Sequence, residues 1–241
     1  MTLPEPVHAL AIGAHPDDVE LCAGGLLAKL TRAGYRVAAV DLTRGERASR
    51  GTVAEREEEA QRAAQILGLV ARENLGLPDA GLQDAEEYRR AVATVLRKYR
   101  PALVLTHHWE DRHPDHAAAS LLVSAAAFLA RLPQVELGYP AHSIVSILYF
   151  PHHELVVPTL VVDISEVFEV KMEALRAYRS QFQSPMPEGY RFIGASDYER
   201  RVQASAAYFG AYVGVAYGEP YLLRQPLKVS SAEWLGKWLL E

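Results

Sequence analysis

Short apolar runs alternate with longer amphipathic stretches along this chain, and the alternation sets the elements it predicts. Val7 to Gly13 has the length of a buried strand, and Glu20 to Ala33 carries helical spacing that stops at Gly34. Tyr35 to Thr43, with Val37, Val40 and Thr43 among its residues, predicts a second strand. Helical spacing returns over Thr52 to Leu67, with Gly68 as its stop, and over Glu86 to Tyr99, closed by Pro101. Ala102 to Thr106 predicts a strand. Pro114 then opens a helix running to about Ala130, since proline suits a first helical turn, where its missing N–H would be unpaired anyway. Ser143 to Phe150 and Thr159 to Ile164 predict further strands, Ser165 to Gln181 one long helix, and Tyr198 to Tyr212 another. Gln183 to Gly194, with two prolines and two glycines, reads as a loop.

Strands alternating with helices of this length predict an α/β fold of the Rossmann-like kind, a mainly parallel sheet with helices on both faces. With 241 residues, 49% of them hydrophobic, and no repeat or low-complexity linker, the expectation is a single domain over 1–241. Such sheets bind ligands beyond the carboxyl ends of their strands, where strand order reverses, and in the common order the first and fourth strands flank that point. His15 to Asp18 follows the first strand, and His107 to His116 follows the strand read as the fourth.

Charge narrows the partners. The formal net charge is −5 with acids and bases interspersed, so no basic stripe points to nucleic acid, and an acidic balance works against an anionic membrane surface. A small-molecule partner is the expectation. Cys22 is the one cysteine, which excludes an intramolecular disulfide and suits a reducing cytosol. Met1 to Pro6 shows no signal-peptide pattern, and the apolar stretch Ala117 to Ala130, interrupted by Ser120 and Ser124, is shorter than the ~20 residues that span a bilayer. A cytoplasmic protein is expected.

Two polar clusters carry the candidate chemistry, Ala14-His15-Pro16-Asp17-Asp18 and Arg112-His113-Pro114-Asp115-His116. A hydrolytic zinc site takes three protein ligands and leaves a position open for water. His15, Asp18 and His116 supply two imidazoles and a carboxylate, which leaves Asp17 free beside the metal. Such a metal lowers the pKa of bound water towards ~7, and a neighbouring carboxylate can accept the proton. His113, one helical turn before His116, is placed to donate to an oxyanion or leaving group, with Asp115 to orient it. The competing reading is helix capping, in which the Asp-Asp pair accepts orphan N–H groups. A nicotinamide enzyme is rejected, because Gly13 to Asp18 lacks the later glycines of a dinucleotide turn and its carboxylates would repel a pyrophosphate.

The clusters resemble the signature of the PIG-L/LmbE-like N-deacetylases, zinc enzymes acting on N-acetylglucosamine derivatives. The likeness extends to Asp41-Leu42-Thr43, Gly51-Thr52, Asn74-Leu75, Leu77-Pro78-Asp79, Pro140-Ala141-His142 and Tyr178-Arg179-Ser180-Gln181-Phe182. That wider set resembles the branch deacetylating N-acetyl-α-D-glucosaminyl L-malate in bacillithiol biosynthesis. The resemblance implies one zinc per chain on His15, Asp18 and His116, with iron, cobalt or manganese as other metals such ligands accept. It implies Asp17 as general base and His113 as the group stabilising the tetrahedral intermediate. It implies Arg56, Arg112 and Tyr217 as substrate contacts, and a homo-oligomer, hexamers being common among the relatives. Competing readings make Arg56, in Glu55 to Glu59, part of a solvated helix face and Tyr217 ordinary packing. The segment Glu46 to Arg50, with two arginines, departs from that branch at the pocket rim. Rival functions are deacetylation of free N-acetylglucosamine, chitobiose or an inositol conjugate, and a catalytically silent metal- or sugar-binding protein. His107, His108, His152 and His153 receive no role.

Overall fold

The computed structural model describes residues 3–183 and 197–226. Five parallel strands, β1 (Ala9–Gly13), β2 (Val37–Thr43), β3 (Ala71–Leu77), β4 (Leu103–His107) and β5 (Ser146–Phe150), form a sheet in the order β3-β2-β1-β4-β5. Between them run α1 (Asp18–Arg32), α2 (Val53–Ile66), α3 (Glu86–Tyr99) and α4 (Pro114–Ala130). Then come β6 (Leu160–Asp163), α5 (Phe168–Arg176), α6 (Arg179–Phe182), α7 (Tyr198–Val213) and β7 (Gly218–Tyr221), with β6 and β7 paired antiparallel in a separate ribbon.

The period of two along β1 shows why both faces are covered. Ala9 and Ala11 join one core with Val19, Leu27, Leu67 and Leu175, from α1, the end of α2, and α5. Leu10 and Ile12 join the other, with Val92, Leu96, Leu122 and Ala126 from α3 and α4. Strands buried on both faces read as continuous apolar runs, which is how β1 and β2 were visible in the sequence.

Three differences from the pattern reading have physical causes. β3 was not predicted, because its ARENLGL sequence is polar; its buried Arg72 is neutralised by Glu20 and Asp41. That strand is what makes Leu103–His107 the fourth, and so puts the order reversal between β1 and β4. The expected helix Ser165 to Gln181 is two helices. Tyr178 is fully buried with its hydroxyl on Glu20 at 3.2 Å, and the Ser180 amide donates to Glu59 at 2.7 Å instead of continuing the helix. The ribbon strand β7 was also unread, being only four residues long and containing Pro220. The expected loop Gln183 to Gly194 lies, beyond Gln183, outside the described residues. Among the described residues, no helix is long and apolar enough to cross a membrane.

Candidate active site

The carboxyl end of β1 runs straight into the first cluster. Thr43, ending β2, fixes it by donating its amide (2.9 Å) and hydroxyl (3.0 Å) to the Ala14 carbonyl. Asp17 occupies the N-cap position of α1, yet its side chain caps nothing, and its backbone sits at φ 108°, ψ −26°. A non-glycine residue there is strained by ~1–3 kcal/mol, and such strain persists only where the surroundings enforce it. Capping therefore does not account for Asp17. Asp18 does bond locally, accepting from the His15 amide at 2.8 Å.

His15, Asp18 and His116 converge as expected, with one ligand atom from each lying within 4.8 Å of the others. His15 Nδ1 is 3.3 Å from Asp18 Oδ2, and His116 Nε2 is 3.3 Å from Asp18 Oδ1. The far nitrogens meet further carboxylates. His15 Nε2 lies 3.1 Å from Asp79 and 3.3 Å from Asp115, and His116 Nδ1 lies 3.3 Å from Asp111. Carboxylates behind imidazoles are the usual outer support of a metal site, fixing tautomer and ring orientation. The donor set, two imidazoles and a carboxylate so backed, fits a divalent metal of the zinc type.

The charges follow from this crowding. Burial works against a charged His15, but its hydrogen bonds to the carboxylates of Asp115, Asp18 and Asp79 outweigh it and push its pKa up to about 12. His116 likewise rises to about 9, burial being overcome by Asp18 and Asp111. A cation entering here displaces those protons and takes their place between the carboxylates. Asp17 moves up to about 7: burial and Asp18 raise it, while Arg56 and His15 oppose them. A carboxyl near neutrality is well matched to general-base work.

His113 packs against both candidate histidine ligands, its ring centroid 4.9 Å from His15 and 4.6 Å from His116. It is also the N-cap of α4: its Nδ1 accepts from the Asp115 amide at 3.3 Å. That bond leaves the ring proton on Nε2 and makes Nε2 a donor. Burial, with the neighbouring His116 and His15, lowers its pKa and keeps the ring neutral. Asp115 was expected to orient His113, and the contact between them runs through its backbone amide, while its carboxylate holds His15 and accepts from the amides of Ala80 and Leu82 at 2.7 and 3.2 Å.

The outer residues divide. Arg56 is buried, not on a solvated face. It donates to the carbonyls of Pro16 (2.5 Å) and Gly45 (3.3 Å) and lies 3.6 Å from Asp17 Oδ2. Gly45 allows this, since a Cβ there would collide with the guanidinium. Arg112 lines a cavity of about 410 Å³ beside the cluster, together with His152, His153, Lys171 and Arg201. Tyr217 is not brought to the cluster: its ring stacks on Phe168 at 3.8 Å, and its hydroxyl accepts from Gln203 at 3.2 Å. The structure also gathers residues that received no role. His107, fully buried at the end of β4, stacks on His116 at 4.1 Å and reaches Asp18 Oδ2 at 3.1 Å. His152 and His153 stack on His116 at 5.0 and 5.3 Å, and His153 Nδ1 meets Asp111 at 2.8 Å. Asp79 backs His15 while accepting from the Arg47 amide at 2.8 Å, so the Glu46 to Arg50 rim is tied to a candidate ligand.

Comparison with known proteins bears on the same residues. The family described as PIG-L, GlcNAc-PI de-N-acetylase, matches residues 10–127, which contain both clusters. A diacetylchitobiose deacetylase of Thermococcus kodakarensis is 33% identical, across 87% of this chain and 80% of its own length. This chain belongs to the PIG-L family. A probable N-acetyl-alpha-D-glucosaminyl L-malate deacetylase 2 of Bacillus cereus is 30% identical over 79% of this PIG-L chain and 90% of its own. A conserved protein from Thermus thermophilus superposes with a TM-score of 0.85 at 38% identity, covering 94% of this chain and 98% of its own. Membership makes the chain an amide hydrolase of the N-deacetylase class, and its His/Asp cluster is able to hold a metal.

Proposed function

We propose that this PIG-L enzyme is a zinc-dependent hydrolase that removes the N-acetyl group from an N-acetylglucosamine conjugate, foremost N-acetyl-α-D-glucosaminyl L-malate. The observation that carries the reading is the uncapped Asp17 carboxylate, raised to about 7, beside a converging His15–Asp18–His116 set. Zinc held by those three residues would supply Lewis acidity towards the acetyl carbonyl and would acidify the attacking water. Asp17 takes the proton from that water as its oxygen adds to the carbonyl carbon. The Nε2–H of His113 donates to the oxygen where charge develops, the form of stabilisation that weighs most in acyl transfer. When the C–N bond breaks, the proton held on Asp17 passes to the leaving amine. Acetate and a free glucosamine conjugate result. Arg56, bonded to the Pro16 carbonyl, keeps Asp17 in its strained place.

The malate conjugate is favoured by the Bacillus relative and by Arg112 and Arg201 in the adjoining cavity, whose guanidinium forks suit carboxylates. A second reading, diacetylchitobiose, is favoured by the Thermococcus relative and by the burial of Arg56, the arginine expected to meet the malate carboxylate. Acetate release from the malate conjugate, diacetylchitobiose, free N-acetylglucosamine and an inositol conjugate separates them. The first reading predicts the highest kcat/KM for the malate conjugate. A higher value on chitobiose transfers the substrate to the second, and no release from any sugar makes the chain a silent binding protein. On the same reading the enzyme is cytoplasmic and homo-oligomeric, and sedimentation tests its assembly.

A further inference from the structure

We infer that Arg50, held at the rim of the site by Gln181, selects substrates whose aglycone carries a carboxylate. The inference rests on the malate reading and names the residue that enforces it. Arg50 lies between β2 and α2 and is half-buried. Its guanidinium is close enough to feel the charge of Asp17. Neutralising Asp17 does not account for it, because Arg56, at 3.6 Å, is already the main counter-charge there. Arg56 is itself committed to the carbonyls of Pro16 and Gly45, so the arginine left at the mouth on this side is Arg50.

The Tyr178 to Phe182 segment, so far without a task in the chemistry, builds the support. Gln181 donates its Nε2–H groups to the Arg50 carbonyl at 2.7 Å and to Ser180 Oγ at 3.0 Å. Ser180 is tied in turn to Glu59 of α2 through its amide and its hydroxyl, both at 2.7 Å. Gly51 allows the close approach: it sits at φ 71°, and a Cβ there would lie 2.6 Å from Ser180 Oγ. At its other end the rim is fixed by the Arg47 amide on Asp79 and by the Asp79 amide on Glu46 Oε1, each at 2.8 Å. A rim whose backbone is pinned at both ends loses less freedom when it takes a ligand.

The substrate's own connectivity brings the acid to this place. In a 2-acetamido sugar the aglycone hangs from C1, the carbon beside the one that carries the acetamide. With the acetamide at Asp17, an aglycone carboxylate is therefore close to the residues around Asp17, where a guanidinium fork can take both its oxygens. Malate has two carboxylates, so Arg112 and Arg201 keep their place on the cavity side.

The test compares acetate release from the malate conjugate and from methyl N-acetyl-α-D-glucosaminide, the same sugar with a neutral aglycone. Wild type, Arg50→Ala, Gln181→Met and the double variant are measured on both. Wild type should favour the malate conjugate in kcat/KM. Arg50→Ala should cut that preference ~10–100-fold, through KM, the scale of a lost hydrogen bond between charged groups. Gln181→Met keeps the volume and removes the donor. It should cut the preference ~3–10-fold, the scale of a neutral hydrogen bond, and add nothing in the Arg50→Ala background. A merely structural Gln181 would instead lower both substrates alike and add to Arg50→Ala. Preference kept by Arg50→Ala, or a loss shared equally by the two substrates, overturns the inference and leaves the malate reading standing. An additive Gln181→Met overturns its positioning role, and a wild type without preference for the malate conjugate overturns the inference and the malate reading together.

Discussion

At Asp17 the backbone and the side chain serve different ends. The residue is forced to positive φ where α1 begins, and its carboxylate, which a helix start would normally use, caps nothing and lies 3.6 Å from the Arg56 guanidinium. Arg56 and the Pro16 carbonyl hold that arrangement, so Asp17 is better described as aimed than as exposed. Asp17→Asn should therefore lower kcat by ~10²–10⁴, the usual span for loss of a general base, with zinc content unchanged. Arg56→Ala separates positioning from contact. If Arg56 acts through Asp17, kcat falls on every substrate with KM nearly constant; a KM rise confined to the malate conjugate would show that it meets the carboxylate. Behind His15, Asp115→Asn should weaken zinc binding by ~10–100-fold, measured by competition with a chelator, because the outer carboxylate sets the ring's orientation and basicity.

The elements differ in how plainly the sequence announces them. β1 and β2 are legible because buried parallel strands are apolar throughout. β3 is not, because Arg72 is buried by pairing with Glu20 and Asp41, a contact between residues distant in sequence that no local pattern reveals. The start of α2 is legible: Thr52 accepts from the Glu55 amide at 3.2 Å while Glu55 accepts from the Thr52 amide at 2.8 Å, a reciprocal cap. Thr52→Ala should cost ~1 kcal/mol and lower Tm by ~2–4 °C in a calorimetric scan, with acetate release unaltered. For the site, His15, Asp17, Asp18, His113 and His116 were readable as clusters at two strand ends. Asp79, His107 and His152–His153 were missed, although they lie at or just past the carboxyl ends of β3, β4 and β5. Extending the strand-end rule to every strand was the available signal, and it needed β3 to be recognised first.

Across the whole molecule, the order reversal between β1 and β4 collects carboxylates and imidazoles at one end of the sheet, a set able to hold a cation. Asp18, Asp79, Asp111 and Asp115 surround a group of imidazoles, two of which carry raised pKa values. Metal binding to the folded chain alone is then a stability term: at ~1,000-fold over Kd it adds ~4 kcal/mol. Chelation should lower Tm, and zinc should restore it in wild type but not in a chain carrying both His15→Ala and His116→Ala, as followed by circular dichroism.

The most direct test counts acetate and metal in the same sample, for wild type and for Asp17→Asn, with N-acetyl-α-D-glucosaminyl L-malate as substrate. The account predicts acetate from wild type carrying one zinc per chain, and almost none from the variant carrying the same zinc. Equal acetate from both, or none from the zinc-loaded wild type on any N-acetylglucosaminide, would contradict it.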